Sequence, residues 1–409
     1  MSPRRMFALA ALLVTSASSL LLTGCASLSD VVGVHMMAAS SCDHSRGVVL
    51  IIGAHRDAPV PSLDQQSRCL VTAAISAGKP VLVVVASGQP TLIIPKLISV
   101  RGGSLAQQNS PYVQKNVTRI QDMIGAARPK SPGADDLAAL AVAADAARSA
   151  GIPHAELVVL DSGLNDRGAL DFAEPGMVAA NPSEVASQLK SSDDLPDLRG
   201  FTVLLVGLGY TAPPQPPLSA KWRGNVTRIW ISAVTSAGAR AEIIPQPARN
   251  ASIETSQPVK VISVPTDRPV RLTPRTPIVF TDESPVGFKP DSTDFADPAA
   301  AAKALTPIAG WLAADPVRHA WLVGTTADVG SLTGQIALSR LRAGRVGGVL
   351  VALGASPAQI SAKGVGSDFP QFKPDRDSSG TLLPGRATLN RSVRITLGPS
   401  SPDVSTPRK

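Results

Sequence analysis

The sequence predicts an α/β protein in two successive units. The larger, residues 47–248, is a largely parallel sheet sandwiched by helices. The smaller, residues 274–398, follows a β-α-β-α-β-β order. Two observations carry this. Short aliphatic runs such as Val48 to Ile52 have no polar alternation, which suits strands buried on both faces. Helical periodicity then recurs between those runs, and strict strand–helix alternation builds helix-covered parallel sheets.

In the first unit, strands are expected at residues 48–52, 80–86, 91–94, 154–160, 201–208 and 241–244. Helices are expected at 63–77, 111–127, 134–150, 181–190 and 222–237. The alanine-rich third helix carries Asp135 and Asp136 near its start, where carboxylates favour the exposed N–H groups, and Gly151 and Pro153 stop it. Asn181-Pro182 reads as a cap followed by proline at the first helical position. Ligands of such sheets gather beyond the carboxyl ends of the strands. Three loops meet there: His55-Arg56-Asp57, Asp161 to Asp166, and Gly207 to Tyr210. Asp161 and Asp166 could take a metal or a cationic ligand, or simply cap strands. The Asp-Ser-Gly at 161–163 lacks the histidine and serine contexts of a subtilisin-like triad and the second lobe of an aspartic protease. Gly207-x-Gly209 lacks the third glycine of a dinucleotide loop. The general layout resembles integrin-type adhesion domains, without their Asp-x-Ser-x-Ser metal loop.

Residues 249–273, rich in Pro, Thr and Ser, read as a linker with a short strand at 259–264, and Pro213 to Pro217 as a stiff loop. In the second unit, strands are expected at 277–280, 319–325, 360–364 and 393–397, with helices at 298–313 and 335–353. The second helix has a 3.6-residue period in Ile336, Ser339, Ala343, Val346, Val349 and Leu350, which predicts its buried face. Residues 399–409 are expected to be a disordered tail.

The amino terminus is a separate problem. Arg4 and Arg5 precede an apolar run from Phe7 to Val14, small residues follow, and the run ends at Leu22-Thr23-Gly24-Cys25. That is an export leader, shorter than a membrane-spanning helix. Leu-Thr-Gly-Cys resembles the lipobox of bacterial lipoproteins. The resemblance implies cleavage of residues 1–24 and acylation of Cys25, with residues 25–46 as a lipidated tether. Two or three acyl chains hold a protein on a bilayer far better than one. Localisation then follows: membrane or outer envelope, facing the extracytoplasmic space. Cys42 and Cys69 remain, an even pair in an oxidising compartment, and a disulfide between them would close a loop worth roughly 3 kcal/mol. Two free thiols are the alternative. The five histidines share no metal-ligand spacing with the cysteines, and neither a metal nor a cofactor is expected.

The 409-residue chain carries +8, but its Lys and Arg are scattered among acids, and aromatics are only 3%; nucleic acid is therefore not an expected partner.

Several segments of the second unit match one family. They are Phe288-Lys289-Pro290-Asp291, Gly324-Thr325-Thr326-Ala327-Asp328-Val329-Gly330, Leu338 to Ala343, Gly354-Ala355-Ser356, Ile360 to Gly366, and Asn390 to Ile395. In this order they resemble the OmpA-like domain, the peptidoglycan-associating module of bacterial envelope proteins. The resemblance implies that Arg342 holds the carboxylate of diaminopimelate in a stem peptide. The aspartate that would hold its ammonium is replaced by Ala327, with an acid one place later at Asp328. Thr326, Asn390 and Arg391 complete the expected ligand-binding set, and Gln335 stands where the family commonly has Asn. A helix-surface Arg342 paired with Asp328 is the structural alternative. The expected function is non-covalent association with peptidoglycan with altered diaminopimelate recognition. Alternatives are a scaffold for other envelope proteins, favoured by an exposed apolar patch, and a wall-tethered hydrolase, favoured by a polar cleft holding Asp161 and His55. Without a Gly-x-Ser-x-Gly elbow or paired carboxylates in a recognisable context, no enzyme is expected. The residue bias also looks like actinobacterial members of the family.

Overall fold

A computed structural model describes residues 46–100, 106–245, 251–267 and 269–399. The expected leader, Cys25, the expected tether up to residue 45, Cys42 and the residues beyond 399 lie outside it. Among the described residues no helix is long and apolar enough to cross a membrane.

The first unit holds strands β1 (Val48–Gly53), β2 (Val81–Ala86), β3 (Thr91–Ile93), β4 (Glu156–Leu160), β5 (Thr202–Val206) and β6 (Arg240–Ile244). Its helices are α1 (Gln65–Ser76), α2 (Ala106–Ala126), α3 (Asp136–Ser149), α4 (Pro182–Ser191) and α5 (Ala220–Ser236). The sheet runs β3-β2-β1-β4-β5-β6, parallel throughout except for β3 at one edge. β1 is buried along its whole length. Val48, Leu50 and Ile52 face one core with α1 and α2, and Val49 and Ile51 face the other with α3, α4 and α5. Fully burying each such side chain stabilises by about 1.5–3 kcal/mol. This is the helix–sheet–helix sandwich that the unbroken aliphatic runs predict. Asn181 caps α4 with Pro182 in its first turn, as the sequence predicts, and Asp135, expected inside α3, is instead its cap through Ala138 N–H.

Two expectations need correction. α2 begins five residues before Pro111 and carries that proline in its second turn; a proline there lacks a bond donor but does not end a helix that has only just begun. Residues 259–264 form no strand. Instead Lys260 N–H donates to Asp166 Oδ2 at 2.7 Å and Ile262 N–H to Gln215 Oε1 at 2.6 Å, so side chains of the first unit take the bonds a ladder would have used. Gly133 N–H to Pro258 O and Trp222 Nε1 to Pro265 O hold the same segment against that unit.

The second unit has β7 (Ile278–Thr281), α6 (Pro298–Ala313), β8 (Arg318–Thr325), α7 (Leu332–Ala352), β9 (Ile360–Gly364), α8 (Pro384–Asn390) and β10 (Ser392–Pro399). The sheet order is β7-β10-β8-β9, with β10 antiparallel to both neighbours and β8 parallel to β9. The short helix α8 was not expected from the sequence. Apolar residues of α6, α7 and the sheet make a single core. Along α7 the buried set is Gln335, Ser339, Arg342, Ala343, Val346, Gly347 and Leu350. Ile336, predicted inward, is exposed, and Val349 is half-buried. The buried face is rotated towards Gln335 and Arg342 because polar loops, rather than apolar side chains, cover that end of the helix.

Candidate functional site

Register places a polar site at one end of the second sheet. Ser392, the first residue of β10, lies opposite both Thr281 and Thr325, the last residues of β7 and β8. Asp282, Thr326 and Arg391 are each one step beyond, so three chain segments converge there. Thr325 Oγ1 bonds Asn390 O at 2.6 Å and Ser392 Oγ at 2.7 Å, tying the two strand ends together.

α7 brings Arg342 to this end because it lies directly on the sheet. A Cβ on Gly324 would meet Ser339 O at 2.0 Å, and one on Gly364 would meet Arg340 N at 2.2 Å. Ser339 Oγ then accepts from Gly366 N–H at 3.1 Å. The loop after β7 folds over the arginine. Phe288 and Phe295 stack with centroids 4.9 Å apart, and Arg342 lies over Phe288 at 5.1 Å. Arg342 Nε donates to Ser292 O at 2.9 Å and Nη2 to Lys289 O at 3.3 Å. Among the described residues Nη1 makes no hydrogen bond. Burial lowers the guanidinium's pKa, and Asp282 opposes that shift. Among the described residues no carboxylate lies within ion-pair distance of Arg342.

The predicted partners are distributed differently from the expectation. Asp328 does not pair with Arg342. Its carboxylate accepts from Gln335 Nε2 at 3.1 Å and faces Arg376 at 3.6 Å, while its own N–H donates to Asp375. The one-place shift turns the side chain towards the loop at 375–376. Ala327 is buried. Thr326 is buried too, and its Oγ1 has no hydrogen-bond partner. Asn390 Nδ2 donates to Lys373 O and Asp375 Oδ2, and its Oδ1 accepts from Lys373 N–H, so it organises a loop. Arg391 reaches into the first unit, where it pairs with Glu184 near the start of α4.

Three acids at or beside this site were not singled out from the sequence: Asp282, Asp375 and Glu184. Burial raises the Asp282 carboxyl to about 6, against the pull of Arg391 and Arg342 and with a further push from Glu184. Asp282 immediately follows the first strand, and that position was the available signal. Glu184 had none, since Asn-Pro-Ser-Glu reads as an ordinary helix start.

A second polar cluster sits in the first unit, where β1 and β4 are adjacent and the strand order reverses. His55 Nδ1 is 2.5 Å from Asp57 Oδ1, and Nε2 is 2.8 Å from Asp161 Oδ2. All three side chains are buried. A carboxylate only accepts, so with both ring nitrogens facing one the imidazole is doubly protonated. Burial alone would lower the His55 pKa, but Asp161 and Asp57 outweigh it and hold it well above the usual range. For Asp161 the same burial is outweighed by His55, and its pKa falls. Burial and the Asp161 charge push the neighbouring Asp136 well up. Thus His55 and Asp161 do meet at the strand ends, but as a sealed ion pair. Asp166 is engaged by the N–H groups of Ala134 and Lys260. Among the described residues no group of His, Cys, Asp or Glu is arranged to hold a metal ion.

Residues 287–380 match the OmpA family model, and the carboxyl-terminal unit is an OmpA-like domain. Solved structures similar to the chain include the peptidoglycan-associated lipoprotein from Burkholderia pseudomallei, at 27% identity over 27% of this chain and 86% of that one, TM-score 0.23. The periplasmic domain of Helicobacter pylori MotB (residues 78–256) is similar at 21% identity over 33% and 83%, TM-score 0.26. The OmpA-like domain of FopA1 from Francisella tularensis is similar at 17% identity over 30% and 72%, TM-score 0.22. No curated protein matches the chain.

Proposed function

We propose that this is a lipid-anchored envelope protein whose OmpA-like domain associates non-covalently with peptidoglycan. Arg342 is the observation that carries the reading. It is a buried guanidinium fixed by two backbone carbonyls, with Nη1 unbonded and no carboxylate paired to it among the described residues. A fixed cation with Asp282 and Asp291 near it but no carboxylate at ion-pair distance among the described residues suits an anionic group from outside, and the planar fork takes a carboxylate in a way an ammonium cannot. In this reading the anion is the carboxylate of diaminopimelate in a stem peptide. Recognition differs from the family pattern because Ala327 offers no acid to the ligand ammonium. The role is binding, not catalysis. Residues 47–248 and 274–398 serve as separate domains joined by 249–273, with the first sheet's ligand unassigned.

Cosedimentation of the full-length protein with purified sacculi at physiological salt tests this. One charge-assisted hydrogen bond is worth about 1.5–3 kcal/mol, so Arg342→Ala is expected to weaken binding about 10- to 100-fold. Unchanged binding by the variant would reject the site. The anchor rests on the Leu-Thr-Gly-Cys segment. Labelled palmitate is expected in the wild type and absent from Cys25→Ala; equal labelling would remove the anchor from the reading. A Cys42–Cys69 bridge belongs to the same extracytoplasmic setting, and peptide mapping without reductant would recover it as one linked pair or refute it as two free thiols.

A further inference from the structure

The two units meet at the end of the second sheet where Arg342 lies. Gly176 has φ +90°, and a Cβ there would strike Gly385 O at 2.1 Å; a Cβ on Gly385 would strike Pro175 O at 2.7 Å. The backbones ahead of α4 and within α8 therefore touch directly, and only glycine allows it. α8 leads into Arg391, α4 begins with Glu184 in its first turn, and the two side chains form an ion pair across the junction. On the neighbouring edge, Lys221 Nζ of α5 donates to Ser284 O in the loop after β7. The junction thus reaches Arg391 and the loop after β7, two of the segments that bound the candidate site, from the first unit's side.

Glu184 is unusual for its position. At the third residue of a helix capped by Asn181, a glutamate ordinarily reaches back to the cap's N–H. Here Oε1 takes Arg391, and Oε2 is buried with no hydrogen-bond partner among the described residues. A buried acceptor left unmatched costs about 1–3 kcal/mol. Asp282, close enough to feel the charges of Arg391, Arg342 and Glu184, is the other acid at this end. The residue that the family pattern would use for an ammonium is Ala327, and Asp328 is turned away.

We infer that the ligand site is shared between the domains, with Glu184 of the first domain supplying, beside Asp282, the carboxylate that position 327 lacks. The ligand is a zwitterion: its carboxylate goes to Arg342 and its ammonium to the Glu184–Asp282 side. This rests on the peptidoglycan reading above and adds to it that the first domain is part of the recognition surface.

The test uses detergent-solubilised full-length protein and three forms of one stem-peptide fragment: diaminopimelate free, acetylated on its side-chain ammonium, or amidated on its side-chain carboxylate. Wild type is expected to prefer the free form to each modified form by about tenfold. Glu184→Gln is expected to lose most of the preference for a free ammonium while keeping that for a free carboxylate, which also shows the variant to be folded. Retention of the full ammonium preference by Glu184→Gln overturns the shared site. So does loss of both preferences together, which would make Glu184 a docking residue only. Arg342→Ala separates the two proposals: if it keeps the carboxylate preference, the peptidoglycan reading fails at its root and the shared site falls with it.

Discussion

The two charged clusters of this chain lie at comparable places, each beyond the ends of adjacent sheet strands, and they solve the burial of charge in opposite ways. Around His55 the cation is inside the fold and has a carboxylate on each ring nitrogen. Around Arg342 the cation is held by backbone carbonyls, with Asp282 and Asp291 near it but outside ion-pair distance. Burying a charge is costly unless it is paired. The first arrangement meets the cost of the histidine internally, although Asp57 Oδ2 and both Asp136 oxygens are buried without a hydrogen-bond partner among the described residues. The second leaves the guanidinium without an ion-pair partner among the described residues, which is what the proposed carboxylate site requires. The contrast explains why the cluster at the usual ligand position of an open α/β sheet is read as a structural clamp, and the smaller sheet as the recognition surface.

The sharpest way to break this comparison is to remove the clamp. Breaking a buried pair by deleting one partner typically costs about 3–5 kcal/mol, so Asp161→Asn and His55→Gln are expected to lower unfolding stability by that order. Denaturant melts of the full-length protein measure it, and losses below about 1 kcal/mol would mean the cluster is not a clamp. The pH dependence has a definite sign. His55 is raised above its ordinary value, near 6.5, so its contribution is complete below about pH 6.5 and lost as pH rises through the folded pKa. Asp161 is lowered, so its contribution is present above about pH 4 and lost as pH falls through its folded value. Stability from the pair therefore peaks between those limits, and a wild-type profile that lacks the alkaline loss would contradict the imidazolium assignment.

Much of this was legible beforehand, for physical reasons that differ by residue. The run Val48 to Ile52 can only be a strand buried on both faces, and Asn181-Pro182 marks a helix start wherever it docks. The approach of His55 to Asp161 followed from both loops sitting at strand carboxyl ends. Their mutual neutralisation did not, because it depends on an atomic distance. Arg342 was found through the motif around it, while the Ile336 error arose from counting apolar residues on a face that is covered by polar loops. Glu184 was out of reach for a different reason. Its partner lies 207 residues away on the other domain, and no local pattern encodes that.

The smaller tests sharpen the second half of the comparison, at the missing acid and its shifted neighbour. Ala327→Asp places a carboxylate where the family pattern has one, and sacculus binding is expected to rise by about tenfold, the equivalent of 1.4 kcal/mol. Unaltered binding would show that the pocket differs by more than this residue. Asp328→Ala is expected to do least. The pair it makes with Arg376 is substantially exposed, 3.6 Å apart, and pairs of that kind contribute about 0–1 kcal/mol. Gln335, its other partner, keeps a bond from Nε2 to Gly330 O and another from Ser367 N–H to Oε1, so the loop retains its anchor without Asp328. Sacculus cosedimentation should therefore match wild type within twofold, and the melting midpoint should barely move. A loss of binding as large as that expected for Arg342→Ala would reverse the assignment: Asp328 would then be the acid that replaces position 327, swinging away from Arg376 when ligand arrives, and Glu184 would return to being a contact between domains.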